Sequence, residues 1–426
     1  MNAFDKVIGY ESIKKELLQI CDMIHHPEIY RDLGARMPKG ILLYGEPGLG
    51  KTLMAKCFVE ESGLKAYTLR RNKNKEDFID KITETFKVAK ENAPAVVFLD
   101  DMDKFANEDR SRRDAEEYVA VQAGFDDTKE AEVFVFATAN DINKLPDSLI
   151  RTGRFDRKIE IYSPEAEDAR NIIKHYLKDK KVSPDVNLED LSMMMEYNSC
   201  AELEAVLNEA AINAAHGRKS CITMKELTEA VLRMEYGAPE NCTSISTDKL
   251  EKTALHEAGH LVICEVLCPG SVGIASLRKS DRHSTGGFVR RCKELDRRPY
   301  HILVSLGGKA AVELYYAEAV ASGCQSDIHK AVRNIREAIS DSGTCGLGMV
   351  NVEKRHSVGM SENMNARTEA LIQAELERYM LKAKDILLKN RQFLERTVEM
   401  LLEKETLMYS DIRALRESVL IQKVSI

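Results

Sequence analysis

Ile41-Leu42-Leu43-Tyr44-Gly45-Glu46-Pro47-Gly48-Leu49-Gly50-Lys51-Thr52 decides the architecture of the first half of the chain. The apolar run reads as a buried strand, and the residues after it fit G-x-x-x-x-G-K-[ST]. Glycines let backbone N–H groups wrap a polyphosphate, Lys51 neutralises β/γ charge, and the Thr52 hydroxyl can ligate Mg2+. The cofactor-binding set in this loop is therefore Gly45, Glu46, Pro47, Gly48, Leu49, Gly50, Lys51 and Thr52. Helix-forming residues 53–61 complete the strand–loop–helix context that the motif requires.

Working outward, residues 11–24 read as a helix, and Pro38-Lys39-Gly40 leads into the strand. Downstream, Ala95-Val96-Val97-Phe98-Leu99 is a second apolar strand ending in Asp100-Asp101. An acid at that strand end can hold Mg2+ through its waters, which is the role assigned to Asp100. Asp101 stands where a water-activating carboxylate is expected. A third strand over residues 132–137 leads to Asn140, and Arg151-Thr152-Gly153-Arg154-Phe155-Asp156-Arg157 follows. Strands alternating with helices predict a parallel α/β sheet with ligands at the C-terminal ends of its strands. Residues 165–237 read as a helical lid, with periodic residues 201–215 and a helix at Met224–Met234 behind a Thr223 cap.

The second half is organised around His256-Glu257-Ala258-Gly259-His260, inside a helix expected over residues 250–268 with Thr247 as N-cap. Residues four apart stack on one helix face, so His256 and His260 can grip one cation. Glu257 projects beside them, where it can take a proton from water; this is the H-E-x-x-H arrangement of zinc peptidases. Two histidines fall short of the three protein ligands usual in catalytic zinc sites, and Asp327 and Glu313 are the downstream acids to weigh. His329 reads as a surface or supporting residue, and Cys264 and Cys268 as core fillers.

Composition bounds the rest. The 426 residues suit two or three domains. A net charge of −7 argues against nonspecific nucleic-acid binding. No apolar run approaches the roughly 18 residues needed to span a bilayer. Ten scattered cysteines without a CxxC pair suit reduced thiols in a cytoplasmic protein.

Residues 4–237 resemble an AAA+ ATPase module, and with the HEAGH segment the whole chain resembles FtsH-family ATP-dependent zinc metalloproteases. The stretches that carry the resemblance are Leu33-Gly34-Ala35-Arg36-Met37-Pro38-Lys39-Gly40, the phosphate loop, Gly153-Arg154-Phe155-Asp156-Arg157, Asn208-Glu209-Ala210-Ala211 and the HEAGH segment itself. The resemblance implies a multidomain fold: an α/β AAA+ P-loop ATPase core with a helical lid, followed by a mainly α-helical zinc metalloprotease domain. The corresponding division is 1–164 (nucleotide binding), 165–237 (lid), 238–247 (linker) and 248–426 (peptidase). Ser322-Gly323-Cys324-Gln325-Ser326-Asp327 resembles the family segment that holds the aspartate ligand, which selects Asp327 over Glu313. By the same resemblance, Asn140 is a sensor positioning the attacking water, and Arg151 and Arg154 reach the γ-phosphate of a neighbouring subunit. That role implies a homo-oligomeric, hexameric ring acting on protein substrates, with Zn2+, ATP and Mg2+ as cofactors. Two alternatives stand beside it: a zinc peptidase whose ATPase is slow or only assembles the ring, and a non-proteolytic remodelling ring.

Three departures from the family matter. Most relatives are tethered by N-terminal transmembrane helices, whereas this sequence opens directly on the ATPase, so a soluble protein is expected. Asp101 replaces a glutamate, and misplacing a reacting carboxylate by about 1 Å can cost on the order of 10²-fold in rate. Cys200 stands where relatives carry glycine beside the nucleotide. Residues 69–78, where the family carries an aromatic–apolar–glycine grip on substrate, are short and charged and leave Phe78 as the remaining candidate grip.

Overall fold

Short unbroken apolar runs build the central strands of the first unit, which comprises residues 1–179 and 197–207. The computed structural model describes residues 2–71, 76–106, 115–238, 246–280, 286–295, 297–316, 324–340 and 362–424. In chain order the first unit contains α1 (Glu11–His25), α2 (Pro27–Asp32), β1 (Gly40–Tyr44), α3 (Lys51–Ser62), β2 (Lys65–Leu69), α4 (Glu76–Glu91) and β3 (Ala95–Leu99). There follow α5 (Ala115–Asp127), β4 (Val133–Ala139), α6 (Asp147–Ile150), β5 (Arg157–Glu160) and α7 (Ala166–Leu177). The strands form one parallel sheet in the order β2-β3-β4-β1-β5.

Every residue of β3 and β4 is buried, as a parallel sheet covered on both faces demands. Alternate side chains enter opposite cores: Leu42, Val97 and Leu99 join Phe86 and Phe125, while Ile41, Leu43, Val96 and Phe98 join Leu17 and Phe58. The register pairs Tyr44 with Ala139 and Leu99 with Ala137. The phosphate loop, Asp100-Asp101 and Asn140 therefore emerge together at the C-terminal ends of the central strands. The edge strands β2 and β5 were not expected from sequence. Their residues are mostly polar and partly exposed, and they become strands only by pairing with β3 and β1.

The second unit comprises residues 180–196 and 208–426. It contains α8 (Leu188–Met194), the later part of α9 (Cys200–His216), α10 (Met224–Met234), α11 (Thr247–Leu267), β6 (Val272–Ser276), β7 (Phe288–Arg291) and α12 (Arg298–Tyr315). It continues with α13 (Gln325–Ser340), α14 (Glu362–Lys389), α15 (Arg391–Lys404), β8 (Thr406–Met408) and α16 (Tyr409–Ser418). Compactness divides the chain elsewhere than the motifs do, because α8 belongs with the C-terminal helices. Buried Asp190 accepts from both the Ser410 N–H and the Ser410 hydroxyl at 2.7 Å.

Helix α11 starts one residue earlier than the expected cap implies, with Ser246 rather than Thr247 at the N-cap. A three-stranded antiparallel sheet, β7-β6-β8, interrupts the expected run of helices. Its strands are short and β6 is wholly buried, so periodicity could not separate it from helix. At the centre of the unit α11 crosses α12 with backbones nearly touching: a Cβ on Gly259 would lie 2.3 Å from Gly307 O. Leu261, Val262, Leu303, Leu306, Ile335 and Ile386 pack around that crossing. Among the described residues, no helix is long and apolar enough to cross a membrane.

Candidate active site

Helix α11 places His256 and His260 one turn apart, with ring centroids 4.7 Å from each other and Nε2 atoms 3.1 Å apart. Val304 O of α12 lies 2.6 Å from His260 Nδ1 and accepts its N–H, leaving Nε2 of that ring as the donor atom. Asp327, in the first turn of α13, brings Oδ2 to 3.3 Å from His256 Nε2 and 3.4 Å from His260 Nε2. Metal–ligand bonds of about 2.0–2.1 Å in a tetrahedron require ligand–ligand edges of about 3.3–3.4 Å. The three donor atoms thus fit a tetrahedral zinc ion and leave the fourth corner for water or substrate.

Electrostatics agree with this arrangement. Burial opposes charge on both imidazoles, but their hydrogen bonds to Asp327 outweigh it and raise their pKa values above the ordinary histidine range. Burial likewise opposes the Asp327 carboxylate, yet the two histidines hold its pKa far below the usual range. Glu257 is buried beside the cluster, and that burial pushes its carboxyl upward against the pull of the histidines. Gly287, just before β7, gives it room: a Cβ there would lie 2.9 Å from Glu257 Oε1.

Glu313, the competing acid, is elsewhere, 2.7 Å from both Lys309 and Lys384. His329 is exposed. Cys264 is fully buried, its thiol pushed up to about 12 by desolvation, whereas Cys268 is the half-exposed cap of α11. Ser322 and Gly323, part of the segment that suggested Asp327, lie outside the described residues.

The nucleotide-binding candidates gather in the first unit. Gly45, Gly48 and Gly50 all have positive φ, and Gly50 at 85° turns the chain directly into α3. Lys51 Nζ donates to Gly45 O and Glu46 O at 2.8 and 2.6 Å; burial lowers its pKa against the pull of Asp101, Asp103 and Asp100. Thr52 Oγ1 donates to Asp100 Oδ1 at 2.9 Å, and Thr138 Oγ1 donates to the same oxygen at 3.0 Å. Thr52 and Asp100 thus stand side by side, where the hydroxyl can ligate Mg2+ and the carboxylate can hold it through a water.

Asp101 has positive φ and a carboxylate 2.6 Å from Lys104 Nζ, with Arg70 at 3.8 Å. The Asn140 N–H donates to buried Asp103. Arg151 is exposed, but Arg154 is 6% exposed and bonded to Ser148 O and Asp126 Oδ2. Cys200 Sγ lies 3.6 Å from the Tyr10 hydroxyl, and the neighbouring Ala201 N–H donates to Gly48 O. Phe78, read as the remaining grip on substrate, is 3% exposed and packs edge-on against Phe105 in the core. That expectation is corrected: helical periodicity turns Phe78 inward from α4. Residues 72–75 of the same region lie outside the described residues.

Three family profiles match along the chain: the ATPase family associated with various cellular activities at 41–163, an AAA+ lid domain at 185–229 and Peptidase family M41 at 243–415. The ATP-dependent zinc metalloprotease FtsH 3 of Symbiobacterium thermophilum is 31% identical over 98% of this chain and 71% of its own length. The chain belongs to the FtsH family of ATP-dependent zinc metalloproteases. FtsH 2 of the same organism is 32% identical over 96% of the chain and 74% of its own length. For FtsH of Streptobacillus moniliformis the identity is 33%, over 97% of the chain and 64% of that relative. FtsH membership brings Zn2+, ATP and Mg2+ as cofactors, and the M41 match sets aside the non-proteolytic ring.

Sequence reading missed several supports of this FtsH-type site. Val304 contributes only a carbonyl, which no side-chain pattern reveals. Gly307 and Gly308 stand as a visible pair in the sequence, but their use appears only where α12 meets α11. Thr138 and Asp103 tie the segment that follows β3 to the end of the neighbouring strand β4 and the residue after it.

Proposed function

We propose that His256, His260 and Asp327 hold the zinc ion of this FtsH-family protease and that Glu257 moves the proton of peptide hydrolysis. The observation carrying this reading is the triangle of donors with 3.1, 3.3 and 3.4 Å edges, with buried Glu257 beside it. Zinc bound there supplies a Lewis acid that polarises the scissile carbonyl and lowers the pKa of a water toward about 7. Glu257 takes the proton of the attacking water and returns it to the leaving amine. Its buried setting, which raises proton affinity, suits a group that must both accept and donate. The carbonyl of Val304 holds His260 in one tautomer, so that Nε2 faces the ion.

In the ATPase part, Gly45, Glu46, Pro47, Gly48, Leu49, Gly50 and Lys51 cradle the phosphates, and Thr52 and Asp100 hold Mg2+. Asp101 activates water and Asn140 positions it. Arg151 and Arg154 serve a neighbouring subunit of a hexameric ring. Arg151, already exposed, is the readier of the two, since Arg154 must first leave Ser148 and Asp126. The working division is 1–164, 165–237, 238–247 and 248–426, supported by the three matched profiles. Substrates are cytoplasmic proteins, delivered by the ring to the peptidase.

The test is cleavage of an unstructured fluorescent protein by wild type and Glu257→Gln, with ATP, a non-hydrolysable analogue or no nucleotide. Cleavage only with ATP, abolished in the variant, is the expected result. Equal cleavage with ATP and the analogue would reassign the ATPase to ring assembly, a reading that the Asp101–Lys104 pairing favours. Cleavage surviving Glu257→Gln would refute the assignment of the base.

A further inference from the structure

The two histidines are not held alike. His260 Nδ1 meets the Val304 carbonyl at 2.6 Å, whereas His256 Nδ1 meets a thiol, Cys324 Sγ, at 3.8 Å. Cys324 is buried and lies three residues before Asp327. One short stretch therefore brackets the His256 ring end to end, with sulfur at Nδ1 and the Asp327 carboxylate 3.3 Å from Nε2. Gly308 closes in on the same ring: a Cβ there would come within 2.5–2.6 Å of Cε1, Nδ1 and Nε2.

We propose that Cys324 is the positioning residue of His256. Its sulfur accepts the Nδ1–H and so selects the tautomer whose lone pair is on Nε2, the atom turned toward His260 and Asp327. Without an acceptor at that end, the ring is held only by the groups it shares with the metal. Sulfur is a weaker acceptor than a carbonyl, and this contact is 1.2 Å longer than the one at His260. His256 is accordingly the less firmly held of the two histidines, and the pairing at Cys324 sets how readily the site gives up its ion. The inference rests on the reading of His256 as a zinc ligand.

The full chain, loaded with zinc, is mixed with excess colorimetric chelator, and the release rate is compared for wild type, Cys324→Val, Cys324→Ala and Cys324→Ser. Valine keeps the volume without accepting a hydrogen bond, alanine cannot overpack, and serine restores an acceptor. The expected result is release about 10–100-fold faster from both Cys324→Val and Cys324→Ala. Cys324→Ser should stay within about 3-fold of wild type, because its hydroxyl still accepts. Thermal unfolding of the four metal-free proteins should coincide. Wild-type release rates in the valine and alanine variants would overturn the proposal, as would equal acceleration in the serine variant. A wild type that binds no stoichiometric zinc would instead refute the ligand reading, and this inference with it.

Discussion

Replacing Gly259 by alanine should disable the peptidase without adding anything larger than a methyl group. A Cβ at this position would lie 2.3 Å from Gly307 O and 2.7 Å from the Ala311 Cβ. Relieving the first contact to about 3.3 Å requires α11 and α12 to part locally by about 1 Å, since close-packed interiors have no void to absorb it. Those two helices hold the site between them. His256, Glu257 and His260 lie on α11, while α12 supplies Val304 O to His260 and Gly308 against His256. A 1 Å separation would stretch the 2.6 Å His260–Val304 bond to about 3.6 Å, past hydrogen-bonding range. We expect a stability loss of about 1–3 kcal/mol from overpacking. Zinc affinity should fall about 10–100-fold with the lost outer support. Peptide cleavage should fall on the order of 10²-fold. Urea denaturation, zinc titration and cleavage of an unstructured protein measure the three effects. Gly217→Ala is the control, because a Cβ there meets nothing closer than 3.4 Å. A Gly259→Ala protein that keeps zinc and cleaves within about 3-fold of wild type would refute the reasoning.

Further outcomes follow from the same geometry. Asp101→Glu should raise steady-state ATP hydrolysis by about 10–10²-fold with unchanged nucleotide affinity, measured by phosphate release and equilibrium binding. Asp327→Asn should reduce zinc content measured by elemental analysis, whereas Glu257→Gln should keep the zinc and lose at least about 10²-fold in cleavage. Glu265 is fully buried, accepting from the N–H groups of Gly270, Ser271 and Val272 and from Arg416. Glu265→Ala should therefore cost about 3–5 kcal/mol in urea denaturation, by leaving those donors without their acceptor. Burial opposes the charge on Glu226, yet its bonds to Lys219 and Thr223 hold its pKa down at about 2. A depressed carboxyl stabilises the fold above its unfolded pKa of about 4.3 and loses that contribution as pH falls through about 2. Glu226→Gln should thus be less stable than wild type at pH 7, with the gap closing between about pH 4.3 and 2 as read from urea midpoints.

Legibility tracked the range of the interactions. The central strands β1, β3 and β4 were readable because their side chains are apolar in unbroken runs, as burial on both faces requires. Strands β2, β5 and β8 were not, since each is a short segment whose ladder is supplied by a partner distant in sequence. Arg154 shows the same limit from the other side. The resemblance reads it as an arginine that reaches a neighbouring subunit, but Ser148 O and Asp126 draw its guanidinium inward.

What the sequence determined alone were groups fixed by local backbone geometry. His256 and His260 share a helix face because 3.6 residues make a turn, and the loop before α3 turns as it does because Gly45, Gly48 and Gly50 tolerate positive φ. Resemblance to a family supplied Asp327, but nothing in the spacing could, since dozens of residues separate it from the histidines. Tertiary structure alone decided that α13 rather than the Glu313 turn of α12 meets them. It also decided that Val304 and Cys324 flank the two rings, and that Phe78 faces the core. These outcomes depend on how closely helices approach, and at the Gly259–Gly307 crossing that distance is set by the absence of two methyl groups.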